Sequence, residues 1–341
     1  MEIENKTPFI FETLPFAAAR DKFRLIIMLK ASFQYDKNGS VSPLEQQLPL
    51  IYADEPDPEA QSLAAKLEAD TAPYKVNGDI LIDGQAYSSN GKKVPFLDVA
   101  VQVGPVQHAL NVIGDRVWTK GGMFGGLGRS RPEPFTEMAL SYGRAYGGQD
   151  PESGEVSPLN PVGKGFLSDN AKKNAEGVAL PNIEDPNRLI TEWNDRPPPV
   201  GLTPLCKSWA PRMNLAGDFS DPWQEQRAPA MPEDFKSLFY NAAPPELQVP
   251  GYLKGGEKVL LKNLSPQGKD FFTIPVLQPQ INIVKGNVKK SVHPAFDTLL
   301  CKPADKTFAC VWRCRVDIAD MAASDVELVA LNLDMSAWEK S

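Results

Sequence analysis

The stretch Phe96-Leu97-Asp98-Val99-Ala100-Val101-Gln102-Val103 decides the fold class. Leu97, Val99, Val101 and Val103 recur every second residue, the period at which successive side chains of a strand return to one face. Gly104-Pro105 breaks the run, and a second extended segment follows over 106–118. Upstream, 78–87 reads as another strand, joined to this pair through Ser88–Lys93 with Asn90-Gly91 inside the connection. The same reading extends to both ends of the chain. Phe9–Leu14 and Phe23–Tyr35 are strands closed by the turn signal Asp36-Lys37-Asn38-Gly39. Late strands are expected at Lys258–Leu261, Phe271–Val276, Gln280–Val284, Phe296–Leu300, Thr307–Val316 and Glu327–Leu333. The class is therefore mainly β: antiparallel, sandwich-like sheets with one or two short helices. One helix is predicted over 57–70, with Asp57 as cap, Pro58 in the first turn, and Leu63 and Leu67 on one face. A second is predicted over Pro232–Asn241.

The middle of the chain is built differently. Eighteen of the 32 prolines lie between Pro132 and Pro250, where each removes a backbone donor and fixes φ, so long helices and central strands are disfavoured. A solvated linker would carry few aromatics, whereas this segment holds Phe135, Tyr142, Tyr146, Phe166, Trp193, Trp209, Phe219, Trp223, Phe235 and Phe239. It reads as an ordered, loop-rich wrap whose aromatics plug onto the sheets. The organisation is a β-rich lobe over 1–131, the wrap over 132–257 and a second β-rich lobe over 258–341, integrated into one domain.

Charge and composition exclude several classes. A net charge of −7 with no dense Lys/Arg run lacks the basic footprint of nucleic-acid binding. The strongest apolar run, Leu25–Leu29, stops at Arg24 and Lys30 and falls far short of the ~20 residues of a membrane helix, so no membrane insertion is expected. The first residues, Met1-Glu2-Ile3-Glu4-Asn5-Lys6, show no signal-peptide pattern. Cys206, Cys301, Cys310 and Cys314 are too sparse for a disulfide scaffold and fit reduced thiols in a cytoplasm.

Motifs for catalysis are scarce. The two histidines, His108 and His293, have no acid, Cys or second His at a ligand-like spacing. Cys310 and Cys314 share a strand face but have no second pair to complete a zinc site. Gly121–Gly128 lacks the Lys-Ser/Thr ending of a phosphate loop and reads as a mobile loop, and Gly163-Lys164 fails the same pattern. Neither a cofactor, a metal nor a small-molecule substrate is expected. A carboxylate pair is the remaining enzymatic option: Asp218, Asp221 and Glu225 beside Trp209 and Trp223 would line a sugar cleft, making the alternative a carbohydrate-binding or carbohydrate-hydrolysing protein.

A series of short constellations stands out. It runs Gly114-Asp115-Arg116-Val117-Trp118, Tyr142-Gly143-Arg144-Ala145-Tyr146-Gly147-Gly148, Asn160-Pro161-Val162-Gly163-Lys164-Gly165-Phe166 and Leu180-Pro181-Asn182-Ile183-Glu184. It continues through Trp209-Ala210-Pro211-Arg212, Trp223, Arg227-x-Pro229, Pro232-x-Asp234-Phe235, Gly256-Glu257, Phe296-Asp297-Thr298-Leu299 and Val311-Trp312-Arg313. With Asn5-Lys6-Thr7-Pro8-Phe9 and Lys30-Ala31-Ser32-Phe33 near the start, the set resembles, over most of the chain, the bacterial family catalogued as domain of unknown function twenty-one sixty-nine. The chain departs from many members at Lys75-Val76-Asn77-Gly78-Asp79, where a Lys-Pro would precede the strand.

That resemblance implies a role beside type VI secretion. Members are similar to accessory proteins encoded near the secreted spike, its tip protein and toxic effectors. The implied partners are an effector and a spike or spike-tip protein, with no catalytic residues to carry over. The contact candidates are Phe124, Arg129, Arg131 and Phe135, on the Gly121–Gly128 loop and its continuation. Arg116, Trp118, Arg144, Trp209, Arg212, Trp223, Trp312 and Arg313 are expected to pin the wrap to the sheets, with Arg116 lying over the Trp118 indole. Gly147, Gly148, Gly163 and Gly165 are expected at positive φ.

Overall fold

A computed structural model describes residues 1–19, 22–60, 64–120, 126–169, 175–316 and 326–336. Strands make up 41% of it and helix 9%, so the β class holds, and three sheets organise the chain. The largest runs Gln248–Pro250, Asn77–Ile82, Ala295–Lys302, Thr307–Val316, Lys22–Tyr35, Ile10–Ala19, with Val41–Pro43 paired to the far end of Lys22–Tyr35. Only Asn77–Ile82 and Ala295–Lys302 pair in parallel within it. The second sheet runs Ile183–Glu184, Val106–Ile113, Phe96–Val103, Lys258–Lys262, Lys269–Thr273. The third holds Glu2–Asn5, Leu328–Asn332, Gln280–Lys285 and Val288–Val292.

The alternation that opens the sequence reading places residues as expected. Val99, Val101 and Val103 are fully buried and Leu97 packs against the same core. Across that core Phe272 of the second sheet stacks on Phe308 of the large sheet at 4.4 Å and on Tyr35 at 4.6 Å. Phe33 and Phe9 extend the aromatic column, so the two sheets face each other here. The apolar cluster continues into the wrap through Val200, Leu202, Leu205, Trp209 and Leu247.

Two expectations need correction. Residues 57–70 are not a helix: Pro58–Ala60 is one 3-10 turn, and Ala65–Leu67 is a strand paired with Glu55–Pro56, while Leu63 lies outside the described residues. The Asp57 cap does form, since its carboxylate accepts from the Glu59 N–H at 3.0 Å. Its other oxygen accepts from the Ser141 hydroxyl at 2.6 Å, so tertiary contacts prevail over local propensity. Over 232–241 only Ser237–Tyr240 is helical, again as 3-10, whereas short α-helices form at Ala210–Met213 and Asp221–Gln226. Both begin with a proline in the first turn, where a missing N–H costs no helical bond. The strand predicted over Phe23–Tyr35 forms as Lys22–Tyr35, and Lys30 within it is 2% exposed, its ammonium meeting Asp70 at 2.7 Å and the Pro49 carbonyl at 2.8 Å.

Candidate partner-binding region and its buried frame

The segment predicted to contact partners is a hairpin. Trp118–Lys120 pairs antiparallel with Leu127–Arg129, in the register Trp118 to Arg129 and Lys120 to Leu127. Phe124 lies outside the described residues, as does most of the glycine run. Arg129 and Arg131 are exposed, and one Arg129 nitrogen donates to the Ile190 carbonyl at 2.7 Å. Phe135 is not at a tip. It is half-buried against the main core, and its backbone exchanges hydrogen bonds with Val94 at 2.9 and 3.0 Å. Of the three candidates among the described residues, two are exposed and one is half-buried.

Under the hairpin sits a small second core of Trp118, Tyr146, Leu167, Ala175, Leu180 and Ile190. Arg116 does not lie over the Trp118 indole. Its guanidinium pairs with the buried Glu184 carboxylate, because a charge 93% removed from water gains more from an opposite charge than from a ring face. The second Glu184 oxygen accepts from the Ile190 N–H at 2.9 Å. Burial raises the Glu184 pKa and lowers that of Arg116, with each partner opposing the shift in the other.

Other motif residues fasten the wrap in the same manner. Asn182 donates to the Ile113 carbonyl at 3.0 Å and to Asp115 at 2.9 Å, and accepts from Lys164 at 2.9 Å. Asn160 donates to the carbonyls of Tyr142 and Tyr146 at 2.9 and 3.0 Å. Gly147, Gly148 and Gly165 take the positive φ expected of them. Gly163 does not; it is needed for closeness, since a Cβ there would stand 2.5 Å from the Ala145 carbonyl oxygen.

Arg144 binds Glu59 at 2.8 Å, anchoring the wrap to the 3-10 turn that replaces the predicted helix. Trp209 is 2% exposed and meets Tyr142 edge-on at 5.3 Å. Arg212, also buried, pairs with Glu68, donates to the Phe239 and Leu205 carbonyls, and stacks on the Phe239 ring at 5.2 Å. Trp223 donates to the Ala230 carbonyl at 2.8 Å and packs on Phe219. In the large sheet Trp312 stacks on Phe296 at 4.6 Å, and Arg313 meets Asp297 at 3.3 Å. Burial raises the Asp297 pKa against the opposing charges of Arg313 and Lys75.

The sequence reading missed the network beside that pair. Lys75 donates to Asp79 at 2.7 Å and to the Thr298 hydroxyl at 2.8 Å, while Asp79 accepts from the Asn241 side chain and the Ala242 N–H, both at 2.8 Å. The available signal was a Lys and an Asp on the flank of the apolar run Ile80-Leu81-Ile82.

The residues offered for a sugar cleft do not meet. Trp209 is buried against Tyr142, while Asp218 and Trp223 line a surface depression of about 620 Å³ with Glu233 and Asp234. Asp221 and Glu225 are not in its lining. His108 lines a separate depression of about 560 Å³ with Asp185 and Glu246, and burial lowers its pKa. All four cysteines are free thiols, and burial pushes Cys301 and Cys314 up to about 12. Among the described residues no three His, Cys, Asp or Glu side chains are placed to hold a metal ion. No helix among them is long and apolar enough to cross a membrane.

No curated protein and no solved structure matches the chain. A family described as "Uncharacterized protein conserved in bacteria (DUF2169)" matches residues 20–313, a span that takes in the large sheet apart from its edge strand Ile10–Ala19 and the last residues of Thr307–Val316, together with the hairpin, the whole wrap and nearly all the motifs above. The chain belongs to that bacterial family.

Proposed function

We propose that this protein is a cytoplasmic type VI secretion accessory protein, an adaptor or chaperone that binds an effector and helps load it onto the spike or spike-tip protein, with no catalysis of its own. The resemblance of the motif series to accessory proteins of that system motivates the reading. The observation that carries it is where the motif side chains go. Arg116, Arg212 and Arg313 each meet a carboxylate inside the fold, Arg144 meets Glu59 at its surface, and Trp118, Trp209 and Trp312 are buried, so the shared residues build a frame and leave loops and edges as the working surface.

Loading also requires release. The interface is therefore of standard size, about 1,200–2,000 Å², and not the larger one of an obligate complex. The test is a deletion strain together with a pull-down using the co-encoded effector and spike-tip proteins. Effector secretion is expected to fall, and at least one of the two proteins to co-purify. Normal secretion without this protein, together with no binding to either, would overturn the reading.

A further inference from the structure

The large sheet ends on Ile10–Ala19, a ten-residue strand with no neighbour on its outer side among the described residues. Its pairing fixes which backbone groups face outward. On the adjacent strand the Ser32 N–H donates to the Gln47 side chain at 2.7 Å and its carbonyl accepts from the Leu44 N–H at 2.9 Å, both on the side shared with Ile10–Ala19. Even-numbered residues of Lys22–Tyr35 therefore point toward Ile10–Ala19, while the odd-numbered Tyr35 N–H donates the other way, to the Lys306 carbonyl. With the register Ile10 to Lys30, Glu12 to Met28 and Leu14 to Ile26, the even residues of the edge strand bond inward. Phe11, Thr13, Pro15 and Ala17 then present their backbone groups outward. Pro15, which has no N–H, fits this parity, since its ring faces away from the ladder.

The open stretch has a defined start. The Phe9 N–H donates to the Thr7 hydroxyl at 3.2 Å, and its carbonyl accepts from the Asn5 side chain at 2.7 Å. The Asn5–Phe9 motif thus closes the ladder at Phe9. Among the described residues nothing pairs with the outward N–H and C=O of Phe11 or Thr13. On the even face Leu14 and Phe16 are half-buried beside Ile26, Met28 and Leu50. The other sheet edges are short or guarded: Val288–Val292 carries Lys289 and Lys290, Gln248–Pro250 is three residues ending in proline, and Gly39 lies against Phe271 on the edge Lys269–Thr273.

We infer that Phe11–Pro15 is the docking edge for an extended segment of the partner, which adds to the large sheet as a strand. This rests on the adaptor reading and names its contact. The occupant is about five residues long, offers N–H groups to the carbonyls of Phe11, Thr13 and Pro15, has no proline at its paired positions, and places apolar side chains over Leu14 and Phe16. A second copy of this chain fits poorly. Antiparallel self-pairing about Thr13 sets Pro15 opposite Phe11, leaving both Phe11 carbonyls without a donor, and sets Glu12 opposite Leu14. Two chains of net charge −7 also repel.

The parity supplies the experiment, with purified co-encoded effector and spike-tip protein as probes. Thr13→Pro removes an outward N–H and no inward bond, so it is expected to melt like wild type and bind the probe roughly tenfold or more weakly. Pro15→Val restores an outward N–H and is expected to bind several-fold more tightly, which keeps the test open if Thr13→Pro is unstable. In the free protein the Glu12 and Leu14 amides are expected to resist hydrogen exchange while Phe11 and Thr13 exchange; in the complex all four are protected. Full affinity in a stably folded Thr13→Pro variant overturns the edge and leaves the adaptor reading standing. Protection of Phe11 and Thr13 in a free dimer replaces the partner by a second copy and also overturns it. Binding of neither probe to the wild type overturns the adaptor reading and this inference with it.

Discussion

The sheets and the proline-rich wrap are ordered by different chemistry. In the sheets each strand satisfies the backbone of its neighbour, so one alternating row such as Val99, Val101, Val103 is enough to place a strand against the core. In the wrap eighteen prolines have removed donors, and few neighbours run parallel for more than two residues. There the carbonyls are met by side chains, Asn160 for Tyr142 and Tyr146 and Arg212 for Leu205 and Phe239, while Asn182 ties the wrap to the Ile113 carbonyl at the end of a second-sheet strand. Order that rests on many interchangeable ladder bonds tolerates single losses, whereas order that rests on a few buried polar groups does not.

The strongest test of that contrast is Trp209→Ala. The indole is buried where the wrap meets the core, and its truncation should cost about 3–5 kcal/mol. Proteolysis should then cut first within 132–257, with the sheets cleaved later. A variant that melts like wild type yet fails to bind its partner would instead place Trp209 at an interface.

Next comes the Arg116–Glu184 pair. Arg116→Ala leaves a buried carboxylate without its cation and should lower stability by about 3–5 kcal/mol in thermal or urea unfolding. The double variant Arg116→Met, Glu184→Leu should recover most of that loss, because it removes both desolvated charges together. Equal loss in the single and double variants would mean that Arg116 acts by packing alone. A smaller effect, about 1–3 kcal/mol, is expected for Asn182→Ala, which orphans the Ile113 carbonyl.

The same contrast explains what the sequence disclosed. Strands with a buried face were legible because period two is a local pattern; Thr307–Val316 falls on its expected limits. The wrap was legible only as composition, since Asn160 and Asn182 bond carbonyls that lie 14 to 69 residues away. The 57–70 error has the same origin: Asp57 and Glu59 carry helix-start signals locally, but Ser141 and Arg144 from the wrap hold them in a turn. Lys30, Lys75 and Asp79 look like surface charges until the fold supplies Asp70, Thr298 and Asn241. Of the contact candidates, Arg129 and Arg131 are exposed and Phe135 is half-buried, a distinction set by the bridge to Val94, which periodicity does not encode.

The smallest expected effect concerns pH and isolates one polar fastening of the wrap. Burial raises the Asp150 pKa, but hydrogen bonds from the hydroxyl and N–H of Ser168 and from the N–H groups of Glu152 and Ser153 outweigh it and hold the carboxyl below its usual range. A carboxylate whose folded pKa is depressed adds stability that is complete above its unfolded value, near 3.9, and fades as pH falls through the folded value. Asp150→Asn keeps the shape but loses the charge and one acceptor oxygen, so it should cost on the order of 1 kcal/mol at neutral pH. The gap between wild type and variant should be constant above about pH 5 and narrow below about pH 4. Unfolding curves collected from pH 7 to pH 2.5 would read this directly. A gap that stays the same at low pH would show that the amide disrupts the 150–154 turn by shape and not by charge.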